Sequence, residues 1–156
     1  MPNRSLQTAK RGDAAALAAL ARRLVEAGLP PAWTPARVER AITDPDHCVL
    51  VAHEGRTLVG GGIVEWTDTA AHLGQLVVAT GCQRTGLGRA LLEALERAAH
   101  AAGFDRVRLE IREGNSRAQQ FYQAAGYRET GRHRRYYDDR EDALVMVRDL
   151  RAVTAP

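Results

Sequence analysis

Six consecutive residues stand out for what their types and order can do: Gln83, Arg84, Thr85, Gly86, Leu87 and Gly88, lying between a predicted strand and a predicted helix. Glycines let a backbone approach an anion with no Cβ in the way, and a helix N-terminus adds roughly half a positive charge, so the spacing predicts a cradle for a diphosphate. Arg84 and Arg89 add to that field. The turn lacks the GKS or GKT ending of a nucleoside-triphosphate loop and the third glycine of a dinucleotide fingerprint, so a different phosphate-bearing ligand is required. Further along, Glu110 alternates away from the aliphatic face of its strand, the usual place of a solvated charge, and Tyr122 falls on the apolar stripe of a helix, the usual place of a core aromatic. Cys82 borders the loop but has no histidine near it in sequence to activate it, and reads as a small buried residue.

Bulk properties limit the setting for this chemistry. A chain of 156 residues has the usual size of one domain, so residues 1–156 are read as a single unit. The formal charge is +3, from 22 Lys plus Arg against 19 Asp plus Glu, a modest excess that suits a polyphosphate ligand and argues against nucleic-acid binding. Cys48 and Cys82 are too few and too far apart for a metal knuckle or a disulfide framework, so no metal is expected and both thiols should be reduced. The alanine-rich run from Ala14 to Ala21 stops at Arg22 and Arg23, which predicts neither a membrane span nor a signal peptide and places the protein in the cytoplasm.

The elements that would hold the loop can be read in order. Arg4 to Ala9 reads as a strand, and Asp13 as the cap of a helix carrying Leu17, Leu20, Ala21 and Leu24, ended by Gly28. After Pro30 and Pro31, Thr34 as N-cap and Pro35 at the first helical position open a second helix towards Ile42. Cys48 to His53 and Thr57 to Trp66 read as a hairpin about Glu54, Gly55 and Arg56, with Gly60, Gly61 and Gly62 marking a bulge or a close backbone approach. His72 to Val78, a helix carrying Leu87, Leu91, Leu95, Ala98 and Ala102 and ended by Gly103, and the alternating strand Arg106 to Ile111 form a strand–helix–strand unit, which implies a parallel pair. Ser116 with Gln119 reads as a capping box opening a fourth helix, with Ala118, Phe121, Tyr122 and Ala125 on one stripe up to Gly126. Tyr127 to Arg134 and Ala143 to Val147 read as the last two strands, separated by the polar Tyr136 to Glu141 segment.

QRTGLG resembles the coenzyme A pyrophosphate loop of the GNAT acetyltransferase superfamily, and NSRAQQFYQAAGY, from Asn115 to Tyr127, resembles its second signature. LEIREGN at Leu109 to Asn115, RRYY at Arg134 to Tyr137 and EDALVM at Glu141 to Met146 are similar to the bacterial ribosomal-protein alanine N-acetyltransferase subgroup. The likeness spans roughly Leu76 to Met146, with a loose echo around Trp33 and Thr34. It departs at Ala79-Thr80-Gly81-Cys82, where the family commonly has a proline and an aromatic residue. The resemblance implies an α+β fold: a seven-stranded, mostly antiparallel sheet with a central parallel pair, flanked by about four helices, and splayed beside the Leu76 to Val78 strand. It further implies acetyl and pantetheine contacts on the main chain of Leu76, Val77 and Val78, phosphates on Gln83 through Arg89, and a hold on the pantetheine arm by Asn115. Tyr122 would protonate the departing thiolate, and Glu110 would be the general base.

The reaction needs such groups in any case. An amine attacks a thioester only as the neutral base; an α-amino group, with pKa about 8, needs modest help, and a lysine side chain near 10.4 needs more. The resemblance makes acetyl-CoA the expected cosubstrate and a protein or peptide N-terminal amine the leading acceptor. A small-molecule amine acetyltransferase and a non-catalytic acetyl-CoA sensor remain alternatives. Arg132, His133, Arg134 and Arg135 form a basic run that reads as a solvated strand edge, and in the resembled subgroup Tyr136 and Tyr137 lie by the acceptor groove. Monomer and homodimer are both open.

Overall fold

A computed structural model describes residues 3–26, 32–137 and 141–153. The expected helix stop at Gly28 and the extended connection at Pro30 and Pro31 lie outside these residues. Seven strands, β1 (Arg4–Thr8), β2 (His47–Glu54), β3 (Thr57–Trp66), β4 (Ala71–Val78), β5 (Arg106–Arg112), β6 (Arg128–Tyr137) and β7 (Glu141–Asp149), form one sheet in the order β1-β2-β3-β4-β5-β7-β6. Every neighbouring pair is antiparallel except β4 and β5, so the expected α+β architecture with a central parallel pair is what the chain adopts. Helices α1 (Ala14–Leu24) and α2 (Pro35–Thr43) cover one face, and α3 (Leu87–Ala101) and α4 (Ser116–Ala124) the other.

Alternation along the strands builds both cores. Val49, Val51 and Ile63 pack with Leu17, Leu20 and Val38 on the α1/α2 face, while Val64, Leu73, Val107 and Leu109 pack with Leu92, Leu95 and Tyr122 on the α3/α4 face. The glycine run lets the helices settle onto the sheet. A Cβ on Gly61 would stand 2.7 Å from Leu17 and 2.9 Å from the Leu50 carbonyl, and one on Gly62 would stand 2.5 Å from Leu95. Close approach is therefore the reason for these three residues, with a register shift at Ile63/Val64 directly after them.

Several expected details differ. Asp13 precedes α1 but does not cap it: its carboxylate accepts from the Lys10 amide at 2.8 Å and meets His53 at 3.2 Å, so it closes the turn before the helix and ties that turn to β2. At α4 the cap is Asn115 rather than Ser116, because the Asn115 Oδ1 accepts from the Ala118 amide at 3.1 Å and Gln119 turns its amide to the Glu113 carbonyl. Thr34 does cap α2, accepting from the Arg37 amide at 3.2 Å with Pro35 in the first turn. The buried stripe of α3 runs through Leu87, Leu91, Leu92, Leu95 and Ala99, not through Ala98 and Ala102, and it includes Glu96. That carboxylate is satisfied by the Tyr127 hydroxyl at 2.8 Å and by Arg148 at 2.7 Å, which is what a buried charge requires. Strands β6 and β7 run further than their apolar patterns suggest, to Tyr137 and from Glu141, because cross-strand pairing carries polar residues along. Arg132, His133 and Arg134 are exposed on the sheet edge, as the basic run implied.

Gly61→Ala should destabilise the protein by about 1–3 kcal/mol in urea unfolding, since a backbone carbonyl cannot yield the needed space. Gly131→Ala, on the open edge with nothing near its Cβ position, should change stability by less than about 0.5 kcal/mol.

Candidate active site

The parallel pair is short. Strands β4 and β5 pair only at Ala71↔Val107 and His72↔Arg108, after which β4 continues on β3 and β5 on β7, so the two diverge. Backbone groups of β4 beyond His72 then lack a ladder partner on that side, and the chain meets this with side chains. The Gly74 carbonyl accepts from the Trp33 indole at 3.2 Å, the Leu76 amide donates to Gln75 Oε1 at 3.1 Å, and the Val78 carbonyl accepts from the Gln83 amide at 3.0 Å. Since the Ala79 amide donates to Val59 of β3, alternation turns Val77 towards β3 as well and leaves Leu76 and Val78 facing the opening.

Trp33 is held in place by its neighbours. Glu26, 5% exposed, accepts from the Ala32 and Trp33 amides, and the Arg37 guanidinium lies 3.8 Å from the indole centroid. Beyond β4, a short turn at Thr80–Cys82 leads into the loop. Arg84 (φ 61°) and Gly86 (φ 87°) both adopt left-handed backbone, and Gly86 is the N-cap of α3 with no side chain bonded to that end of the helix. Such a turn at a helix start aims backbone N–H groups outwards, which is the arrangement a diphosphate needs. Thr85 is tied back to the Cys82 carbonyl and receives a hydrogen bond from Arg4 at 3.0 Å, while Arg4 also pairs with Glu54 at 2.8 Å. The loop is thereby anchored to the β1 edge. Arg89 is directed along α3 and α4, towards Glu93 and the Ala124 carbonyl, rather than to the loop.

Helix α4 closes the α3/α4 side of the opening. Phe121 and Val78 both lie within 3.6 Å of the Cβ position of Gly88, and Tyr122 packs edge-on against Phe121 and Tyr127. Glu110 is on the other face. It lies with His72 on the side away from Leu109, Ile111, Ala71 and Leu73, where the two line a cavity of about 440 Å³ together with Glu65, Thr67, Asp68, Thr69, Ala70 and Arg108. Its Oε2 meets His72 Nε2 at 2.7 Å and its Oε1 accepts from Arg108 at 3.1 Å. Burial pushes the Glu110 carboxyl up, but the hydrogen bonds and charges of His72 and Arg108 outweigh that and hold it below the ordinary carboxylate range.

The structure thus gathers Leu76, Val78, the Gln83–Gly88 loop and the start of α4 around one opening and places Glu110 on the opposite side of the sheet. Val77 is turned away from the opening, with its side chain in the α1/α2 core, and the side chain of Tyr137 is not described. The site also contains Gln75, His72 and Arg4, which sequence reasoning passed over. Gln75 carried a signal, being a lone amide in an apolar run; His72 and Arg4 carried none.

Residues 15–127 match the sequence profile of the acetyltransferase (GNAT) family. The chain belongs to that family. It is 33% identical over 153 residues to an uncharacterized N-acetyltransferase of Mycobacterium tuberculosis, covering 88% of this chain and 98% of the relative. Over 68 residues it is 43% identical to the ribosomal protein bS18-alanine N-acetyltransferase of Escherichia coli, 42% of this chain and 46% of the relative. The crystal structure of that enzyme superposes with a TM-score of 0.81 at 25% identity, covering 95% of this chain and 94% of the other. An N-acetyltransferase of Thermoplasma acidophilum, solved in complex with coenzyme A, shares the fold with a TM-score of 0.79 at 18% identity, covering 94% of this chain and 99% of the other. The chain is therefore a GNAT N-acetyltransferase, an enzyme of the kind that draws its acetyl group from acetyl-CoA. Among the described residues no helix is long and apolar enough to cross a membrane.

A carboxyl held below its unfolded value stabilises the native state above that unfolded value, near 4.3, and this contribution is lost as pH falls through the folded value. The part of the stability difference between the wild type and Glu110→Gln that this carboxylate contributes should therefore shrink in urea titrations as pH falls below about 4.3.

Proposed function

We propose that this enzyme transfers acetyl from acetyl-CoA directly to a primary amine, with a protein or peptide N-terminal amine as the leading acceptor. The observation that carries the reading is the open edge of β4 running into a left-handed turn and the bare N-terminus of α3. Backbone amides of the Gln83–Arg89 stretch would hold the pyrophosphate. The N–H groups of Leu76 and Val78 face where the thioester and pantetheine would lie, with Gln75 Oε1 occupying the acceptor position on Leu76 that a thioester oxygen would take. Val77 joins these two residues and contributes its side chain to the support beneath them. Asn115 spends its Oδ1 on the helix cap and keeps two amide protons for the pantetheine arm.

Acetyl-CoA supplies an activated acyl group whose leaving thiol is a good one. The chain's residues supply the proton traffic. Tyr122, on the same side as the loop, is the donor to the departing sulfur, and Glu110, ionised on the other face, belongs to the base that relieves the amine of its proton. The likeness to an enzyme that acetylates an N-terminal alanine favours a peptide acceptor. A small cationic amine is the second reading, favoured by the cavity in which Glu65 and Asp68 join Glu110.

Isothermal calorimetry should register coenzyme A binding. In a thiol-release assay an alanine-initiated peptide should then turn over faster than spermidine, and the reverse order would give the second reading the place of the first. Tyr122→Phe should lower turnover about 10²-fold while leaving calorimetric binding nearly intact; unchanged turnover would remove the tyrosine from the mechanism.

A further inference from the structure

We infer that His72, positioned by Glu110, takes the proton from the acceptor amine through water in the cavity the two residues share; this rests on the acetyl-transfer reading above. The contact between them, 2.7 Å, is the shorter of the two ion pairs Glu110 makes. It joins a carboxylate side chain 7% exposed to an imidazole 29% exposed, so of the two residues that line the cavity the histidine is the more open to it. An ionised carboxylate can only accept, so the ring nitrogen facing it, Nε2, carries the hydrogen. The neutral imidazole is then the tautomer with its lone pair on Nδ1, and among the described residues none bonds that atom.

The chemistry agrees with that division. A general base works best when its own pKa lies near the operating pH; a histidine ordinarily titrates near 6.5, whereas a carboxyl pressed below its usual range is a poor proton acceptor and a good anchor. Both oxygens of Glu110 are already engaged, by His72 and by Arg108. A base whose second nitrogen is gripped by a buried carboxylate is the arrangement that fixes tautomer and ring orientation in nucleophilic sites generally. The charged groups that face His72 are Glu110 and Arg108 from β5, Glu65 from β3 and Asp68 from the β3–β4 turn. Carboxylates outnumber the one arginine, so an incoming ammonium is attracted rather than repelled.

Distance calls for water in the path. By the parallel register Glu110 stands level with Gly74, two residues short of Leu76, roughly 7 Å along the strand at about 3.3 Å per residue. The ammonium yields one proton by way of water to His72 Nδ1. The neutral nitrogen then forms the C–N bond as the C–S bond breaks with its electron pair on sulfur. The second N–H proton offsets the one sulfur receives, and His72 returns its own proton to solvent through the cavity, one proton being released per turnover.

The test measures kcat/KM from pH 5.5 to 9 with the full chain, acetyl-CoA, and an alanine-initiated peptide or spermidine as the probe acceptor. The wild type should lose activity on the acid side in one protonation step. His72→Gln should lower kcat/KM by about 10²-fold and abolish that step, while Glu110→Gln should keep the step but displace it. Added imidazole should restore part of the activity to His72→Gly, which a merely structural role would not permit. Calorimetric coenzyme A binding in each variant reports that the fold is intact. If His72→Gln retains the wild-type rate and acid limb while Glu110→Gln loses both, Glu110 is the base itself and the inference fails. A wild type that releases no thiol with either probe would instead overturn acetyl transfer, and the inference with it.

Discussion

The early end of the β4–β5 ladder is the constraint on which the rest of the site depends. A sheet that stops pairing in its middle exposes peptide groups at the centre of a protein, where an unpaired amide or carbonyl costs about 1–3 kcal/mol. This chain offsets that cost with three side chains, Trp33, Gln75 and Gln83, each from a different segment and each bonded to one peptide group of β4. Two of the three attachments, those of Gln75 and Gln83, are made by amides at the ends of flexible stems. Trp33 cannot exchange so easily, being clamped by Glu26 and Arg37. The opening therefore combines a fixed lower end at Gly74 with an upper end, at Leu76 and Val78, whose hydrogen-bonding capacity is borrowed rather than committed.

The bulge at Gly74 has a second consequence. Before it Ala71 and Leu73 face α3, and after it Leu76 and Val78 do, so one extra residue is inserted and the strand's two faces are re-aimed. His72 below the bulge and Gln75 above it consequently fall on the α1/α2 side, with Glu110 from the neighbouring strand. The loop, α3 and Tyr122 stay on the other. A ligand threaded through the gap would meet anion-binding backbone on one side and carboxylates on the other, and the sheet keeps those two fields apart.

Periodicity and turn chemistry carried most of this into the sequence. The strand–helix–strand order around Gln83–Gly88, the glycine stops at Gly103 and Gly126, and the Thr34–Pro35 helix start are local signals that the folded chain keeps. The site was only half legible. Tyr122 and the loop lie in contiguous motifs, whereas His72 and Glu110 are separated by 38 positions and meet only because the crossover through α3 brings β5 beside β4. Nor does anything local distinguish Glu96 from an exposed helical glutamate. Its burial follows from Tyr127 and Arg148 arriving from distant segments, the same kind of information that a pattern of apolar residues cannot hold.

Two of the carboxylates that fold away from solvent, Glu96 and Glu110, are instructive as a pair. Each is gripped by an arginine and by one ring-bearing side chain. Around Glu96 the ring is the Tyr127 phenol, which burial first and the adjacent carboxylate second hold protonated far above the ordinary tyrosine range. That partnership moves no proton at any physiological pH and serves as a lock between α3, β6 and β7. Around Glu110 the ring is an imidazole, the one side chain whose ordinary titration falls near neutrality, and it opens onto a cavity instead of a core. The identity of the ring and its access to water distinguish the two, one buried carboxylate serving as a structural tie and the other standing beside a group able to take part in proton transfer.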